Sequence, residues 1–329
     1  MSQKTRSVIL GTGKSVPEKV LANADLEKIV DTSDAWIVER TGIRERRVAG
    51  HDEMLADLAA EAAMSALQDA GVEAHELDLI VLGTSTGDVL TPSTACLVQE
   101  KIGAYKAFAF DLSAACTGFL YSLQVAESLM KTSGYCKVLV IGGDIVTTYI
   151  NYHDRDTCVL FGDGAGAVVL GQSEEDRGLL RTCLKSDGRY HHLLKVPGHN
   201  RSNLPTEENL QGHKHALIMD GREVYRNAVV SMTNVMNQVL EEEGFGIDDL
   251  DLFIPHQANM RIIEAVGKRL GISQDIVYTN VERFGNTSAA SIPIALDEVR
   301  RSGVVGPGAL IGMAAFGAGF TWGAGLLRL

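Results

Sequence analysis

Apolar and polar positions alternate in two rhythms along this chain. Short apolar runs ended by glycine or polar residues recur: "SVILGTG" at Ser7, "LDLIVLGTST" at Leu77, "AFAFDL" at Ala107, "KVLVIGG" at Lys137 and "TCVLFGDGAGAVVLG" at Thr157. Runs of this length, apolar almost throughout, predict strands buried on both faces. Between them lie stretches with apolar residues three and four apart, such as "LADLAAEAAMSALQDA" over Leu55–Ala70, and that spacing predicts helices. The alternation predicts an α/β protein with a largely buried sheet.

The pattern also repeats. "GVEAHELDLIV" at Gly71 returns as "GFGIDDLDLFI" at Gly244, 173 residues later. At the same offset Cys116 falls on Ala289, inside "NTSAASIPIALDEV", and "VLVIGG" at Val138 falls on "IGMAAF" at Ile311. Three matches in one order predict two similar halves joined near Gln172–Leu179, divided as 1–174 and 175–329. The first half carries an extra segment, Asp144–Asp156. A ligand site between such halves is the natural expectation.

A length of 329 residues exceeds what one small core needs, in keeping with two halves. The formal net charge of −12 argues against general nucleic-acid binding. The opening "MSQKTRSVILGTG" has no apolar leader core, and no apolar run approaches the ~18–20 residues of a membrane span. Five cysteines without regular spacing do not suggest a disulfide framework, so the expected setting is the reducing cytoplasm.

Three segments carry candidate chemistry: "SAACTGF" with Cys116, "IPHQANMRI" with His256 and "RFGNTSAASIP" with Asn286. His256 follows a strand-like run. Asn286 precedes a helical one, in the place that matches Cys116 of the other half. A helix starting at Cys116 would offer unpaired N–H groups and a dipole that favour a thiolate, and the same groups could hold an oxyanion. Taken singly, each residue has a plainer reading. Cys116 fits a small core position, His256 can satisfy a backbone carbonyl, and Asn286 after Gly285 suits a turn.

Taken together, "DLSAACTGF", "PHQANMRI", "FGNTSAASIP" and "FGAGFTWGAGLL" closely resemble the β-ketoacyl-[acyl-carrier-protein] synthase III family of the thiolase-like superfamily. The resemblance extends from "GTGKSVPEKVLAN" through "SDAWIVERTGIRERR" and "FGDGAGAVVL" to the C-terminus. It implies a thiolase-like fold, two pseudo-symmetric halves forming a five-layer α-β-α-β-α sandwich. It implies a Cys116–His256–Asn286 triad and a decarboxylating condensation of an acyl-CoA with malonyl-acyl carrier protein through an acyl-cysteine, with no metal and no bound cofactor. The implied oxyanion hole uses the N–H groups of Cys116 and Ala318, where many relatives have glycine at the latter. CoA would be gripped by Trp36, Arg40, Thr41 and Arg155, with Asn259 on the pantetheine arm. Arg261, Lys268 and Arg269 match basic positions for docking acyl carrier protein. The acyl pocket maps to Thr91, reached from the partner of a homodimer, and to Phe316. Thr91 in place of a family phenylalanine implies room for an acyl group longer than acetyl.

Other motifs carry less. "GTGKS" at Gly11 lacks the first glycine of a phosphate loop, since Val8 stands there. "GDGAGAVVLG" suits close backbone packing. His191, His192, His213 and His215 lack a convincing ligand pattern and read as a solvated loop. A biosynthetic thiolase would carry a second cysteine in the C-terminal glycine-rich loop, but the last cysteine here is Cys183. A related condensing enzyme of secondary metabolism, a Cys–His hydrolase and a non-catalytic binding protein stand as rival readings.

Overall fold

The strand-like runs of the first half hydrogen-bond into one five-stranded sheet in the computed structural model, which describes residues 6–329. Its spatial order is Arg6–Ser15, Gly164–Ser173, Val138–Asp144, Leu79–Gly83, Phe108–Leu112. The last three are mutually parallel, and Gly164–Ser173 is antiparallel to both of its neighbours. The second half repeats this order with Gly178–Ser186, Thr321–Arg328, Leu310–Gly317 and Leu252–Pro255. A single bridge from Phe253 to Val277 stands where a fifth strand would lie. Of the N-terminal segment read as lacking a leader core, Met1–Thr5 lie outside the described residues.

Side-chain alternation sorts the sheets into layers. Leu79 and Val81 face a central pair of helices, Gly118–Ser133 and Ser291–Ser302, which also take Leu252, Ile254, Ile311 and Met313 from the second sheet. Ile80 and Leu82 face outward onto Leu55–Ala70 and Thr94–Ile102. Phe253 and Ala314 face outward onto Gly221–Glu243 and Met260–Leu270. The result is helix, sheet, helices, sheet, helix. With each fully buried Leu, Ile or Val contributing ~1.5–3 kcal/mol, the central layer fastens the two halves together.

The repeat is visible in the backbone. The 3₁₀ turns Ala74–Glu76 and Ile247–Asp249 are 173 residues apart, as are Ala115–Thr117 and Ser288–Ala290. Within the latter pair Ala115 and Ser288 both take a left-handed backbone, at φ 48° and 52°.

"GTGKS", already rejected as a phosphate loop, continues the first strand, and its glycines serve packing: a Cβ on Gly13 would stand 2.2 Å from the Ala62 carbonyl oxygen of the covering helix. One sequence expectation changes. The run from Thr157 is not one strand. Thr157 and Cys158 belong to the helical turn Arg155–Cys158, and the strand spans Gly164–Ser173. Apolar side chains there pack inside an excursion rather than on a sheet, which an apolar pattern by itself does not distinguish. Among the described residues no helix is long and apolar enough to cross a membrane.

Candidate active site

The strand Phe108–Leu112 leads through Ser113 and Ala114 into the 3₁₀ turn that carries Cys116. The long helix begins at Gly118, two residues later than the expected start at Cys116. The C-terminal hairpin closes over this turn. A Cβ on Gly317 would lie 2.7 Å from the Cys116 nitrogen, so glycine is required there for the approach. Thr117 Oγ1 donates to the Ala114 carbonyl at 2.6 Å and lies 2.8 Å from Thr321 Oγ1. The Thr321 hydroxyl in turn sits 2.9 Å from the Ala318 carbonyl and 3.0 Å from that of Ala114. Among the described residues, non-glycine positive φ occurs at Ala115, His213 and Ser288. Ala318 therefore adopts an ordinary L-residue backbone, as the resemblance requires of it.

The thiol differs from the expectation. Cys116 keeps partial exposure because it faces a cavity. Protein nevertheless surrounds it, and this desolvation pushes its pKa up to about 12. A hydrogen bond with Ser288, whose Oγ is 3.5 Å from Sγ, acts in the opposite direction, and the carboxylate of Asp144 raises it further. The resting residue is a neutral thiol. Sequence logic supplied the helix N-terminus but not the burial that outweighs it.

His256 follows the strand Leu252–Pro255, and its N–H donates to the Ala314 carbonyl at 2.7 Å. It is 2% exposed, and its Nδ1 lies 2.6 Å from Ser291 Oγ at the first residue of the second central helix. Burial lowers its pKa to about 4, so the imidazole is neutral at physiological pH.

Asn286 is pinned by the other half. Its N–H donates to the Leu160 carbonyl at 2.8 Å, and its carbonyl accepts the Gly162 N–H at 3.1 Å. Gly285 holds φ 64°, and a Cβ there would meet Leu160 O at 2.7 Å. Asn286 Oδ1 accepts the Ser288 N–H at 2.9 Å, which leaves the side-chain NH₂ as the group available to a ligand.

Cys116, His256 and Asn286 line one cavity of about 1110 Å³. Ala318 and Phe316 line it as well, and so, toward the mouth, do Trp36, Arg40, Thr41, Asn259 and Arg261. Trp36, Arg40 and Thr41 sit on the helix Asp34–Thr41, capped by Ser33. The guanidinium of Arg40 lies 4.8 Å from the Trp36 ring centroid and that of Arg155 4.6 Å, although Arg155 itself is not in the lining. Thr41 is already committed, donating to the Ile37 carbonyl and accepting the Ile43 N–H. Asn259 caps the helix Met260–Leu270 through Oδ1. That helix exposes Arg261, Lys268 and Arg269 on one face, and Lys268 and Arg269 lie outside the cavity. Thr91 does not reach it either; it sits exposed beside Val89 and Leu90, the latter 104% exposed.

Sequence reasoning missed Asp144, Ser288, Ser291 and Arg222, all but Ser291 in the cavity lining. Ser288 and Ser291 lay inside a quoted motif, yet nothing in the sequence separates them from ordinary buried serines. Asp144 closes an apolar strand and gave no signal at all.

Comparison with known proteins gives a consistent result. A family profile described as 3-oxoacyl-[acyl-carrier-protein (ACP)] synthase III matches residues 110–188, and one for its C-terminal part matches residues 240–329. A β-ketoacyl-[acyl-carrier-protein] synthase III of Caldanaerobacter subterraneus is 47% identical over 100% of this chain and 99% of that protein. The crystal structure of 3-oxoacyl-[acyl-carrier-protein] synthase III from Aquifex aeolicus superposes with a TM-score of 0.92 at 46% identity, covering 98% of this chain and 100% of that one. The priming β-ketosynthase of the R1128 polyketide pathway superposes with a TM-score of 0.93 at 37% identity, covering 98% and 96%.

Proposed function

The chain belongs to the β-ketoacyl-[acyl-carrier-protein] synthase III family, and from that premise we propose how its own residues carry the reaction. It is a condensing acyltransferase that joins an acyl-CoA starter to malonyl-acyl carrier protein and so initiates fatty acid biosynthesis. The observation that supports the residue roles is the meeting of Cys116, His256 and Asn286 in one cavity drawn from both halves.

Cys116 attacks the thioester carbonyl of the starter. The N–H groups of Cys116 and Ala318 hold the oxyanion, CoA departs as the thiol, and an acyl-cysteine remains. Malonyl-acyl carrier protein then enters. The His256 imidazole N–H and the Asn286 amide donate to its thioester carbonyl while carbon dioxide leaves, and the enolate carbon attacks the acyl-cysteine. The released thiolate takes up one proton. A neutral imidazole suits this task, because a donor that is uncharged at rest stabilises charge where it develops. Decarboxylation supplies the carbanion, so the chemistry calls for neither a metal nor a bound cofactor.

Trp36, Arg40 and Arg155 provide a stacking face and positive charge for the CoA nucleotide. Asn259 and Thr41 flank the pantetheine arm. Arg261, Lys268 and Arg269 steer the acidic carrier protein on an otherwise acidic chain. The exposed apolar pair Val89 and Leu90 suits burial in a homodimer, which would bring Thr91 to the partner's acyl pocket opposite Phe316. The polypeptide divides functionally at 174/175, and it works in the cytoplasm. The cavity's size and the small Thr91 side chain support a starter longer than acetyl.

The test is intact mass spectrometry of the protein with acyl-CoAs from acetyl to decanoyl, without malonyl-acyl carrier protein. One stable acyl adduct, absent from Cys116→Ala, is expected. In competition octanoyl-CoA should load at least as fast as acetyl-CoA; a large preference for acetyl would remove the long-starter reading. No adduct with any donor would remove the condensing role of Cys116.

A further inference from the structure

The two arms of the cavity mouth come from distant parts of the chain. Trp36 and Arg40 stand on the helix Asp34–Thr41, whereas Arg155 stands on the helical turn Arg155–Cys158. They nevertheless meet. The Arg155 guanidinium lies over the Trp36 ring, and its Nη1 donates to the Asp31 carbonyl at 3.0 Å. Arg40 and Arg155 are exposed and Trp36 is half-buried, so contact between their side chains fastens the arms only weakly.

The stronger fastening lies beneath them, in two buried residues. Arg46 is 0% exposed and Asn23 1%. Arg46 belongs to the short strand Glu45–Arg47, and Asn23 follows the paired strand Val20–Ala22. Arg46 Nη1 donates to the Leu21 carbonyl at 2.9 Å, and Nη1 and Nη2 each donate to Asn23 Oδ1 at 3.0 Å. Nη2 also donates at 2.9 Å to the carbonyl of Val159, the residue that ends the Arg155 turn. Asn23 completes the link on the other side. Its Nδ2 donates at 2.8 Å to Oδ1 of Asp34, the first residue of the Trp36 helix. The same NH₂ donates at 2.8 Å to the Ile43 carbonyl just past that helix. Guanidinium and amide together span from one arm to the other. Each acceptor of Arg46 is an uncharged oxygen, its Nε has no partner, and the neighbouring Glu45 pairs with Arg47. Glycines leave room for it: a Cβ on Gly162 would stand 3.1 Å from Arg46 Cβ, and one on Gly285 3.3 Å. A buried cation without an anion is costly, and an apolar side chain of similar volume often serves stability as well. What the guanidinium adds is direction, since its planar fork fixes several acceptors at once.

On the condensing-enzyme reading above, we propose that Arg46 and Asn23 are positioning residues: a buried strut that sets the separation of Trp36 and Arg155 and so the fit of the CoA nucleotide. The strut holds the two backbones and leaves the exposed Arg155 side chain free to swing aside for the base. Its effect is confined to donors that carry a nucleotide. An acyl-pantetheine presents the same thioester and arm without one, and so bypasses the clamp.

The experiment compares wild type with Arg46→Lys and Asn23→Asp. The lysine keeps the charge but not the fork. The aspartate still accepts from Arg46 but loses the NH₂ that reaches Asp34 and Ile43. Single-turnover loading is measured against concentration for an acyl-CoA and for the matching acyl-pantetheine, and CoA binding is measured by calorimetry. The strut predicts that the half-saturating acyl-CoA concentration and the Kd for CoA both rise about tenfold in each variant. Maximal loading from acyl-CoA, and loading from acyl-pantetheine at every concentration, should stay near wild type. Loading from acyl-pantetheine also reports that the variant has folded, and Asn23→Asp decides if Arg46→Lys does not fold. A purely structural role would slow both donors alike, and that outcome would overturn the strut, as would unchanged affinity for CoA. If wild type loaded from neither donor, the condensing reading would fail on its own, while CoA binding weakened in the variants would still uphold the strut.

Discussion

The turn around Cys116 and the turn around Ala289 are one backbone used twice. Each is a 3₁₀ turn with a left-handed first residue, Ala115 or Ser288, and each opens a central helix. Their surroundings differ at two matched pairs. In the first half Gly83 and Gly118 meet backbone to backbone, and a Cβ on Gly83 would lie 2.5 Å from the Gly118 carbonyl carbon. In the second half the equivalent residues, 173 positions later, are His256 and Ser291, joined at 2.6 Å. The first copy has given up side chains to bring its helix end close to the strand and expose a sulfur. The second has spaced the same elements to admit an imidazole and its partner. At the central position Cys116 faces the cavity, whereas Ala289 is buried, with its carbonyl so close to Gly142 that a Cβ there would stand 2.3 Å away. Duplicated backbone thus suits the division of labour proposed above, in which one copy holds the acyl group and the other stabilises the enolate.

The comparison breaks most cleanly by disabling each copy in turn. Cys116→Ala should abolish acyl loading and lower condensation by about 10⁴-fold or more, while decarboxylation of malonyl-acyl carrier protein persists. Asn286→Ala should load normally in the mass assay but lose about 10²–10³-fold in decarboxylation. Loss of both activities in both variants would show that the copies do not act separately.

The burial of His256 can be read from stability. Its folded pKa of about 4 lies below the ordinary 6.5, so between these values the unfolded chain binds the extra proton. Its contribution is therefore complete above pH 6.5 and is lost as pH falls toward 4. Wild type should lose about 2–3 kcal/mol more unfolding free energy between pH 7.5 and 4.5 than His256→Asn, measured by urea denaturation at both pH values. Equal losses would mean that the imidazole is not held neutral by folding.

The hairpin over the nucleophile gives a smaller effect. Gly317→Ala should reduce loading about 10²-fold, because its Cβ would displace the Cys116 N–H by a fraction of an ångström to an ångström. Ala318→Gly should leave loading nearly unchanged, as Ala318 is under no backbone strain. A modest effect is expected at Ser291→Ala. With one hydrogen bond removed from His256, condensation should fall roughly tenfold while loading is untouched. A matching fall in loading would place His256 in both steps.

Much of this arrangement was legible beforehand. Strand and helix rhythms, the 173-residue offset and the motifs around Cys116, His256 and Asn286 all appear in the chain itself. The run from Thr157 misled because an apolar pattern does not say what it packs against, and there it packs in an excursion between strands. Thr91 and Lys268 lie where one chain's cavity does not extend, and their proposed roles depend on a second molecule that no local pattern describes.

Identity along the chain determined which groups were available: a thiol, an imidazole, an amide and the glycines that let backbones touch. Periodicity determined which elements would carry them. Tertiary structure alone decided their protonation. Ser288 acts on Cys116 from 172 residues further along the chain, in the other half, and Asp144 from 28 residues further along, at the end of a strand of the same half. The desolvation that keeps the thiol protonated and the imidazole neutral exists only when both sheets close around the central helices. A pKa is set by distance and solvent in three dimensions, and neither is written at any one position of the chain.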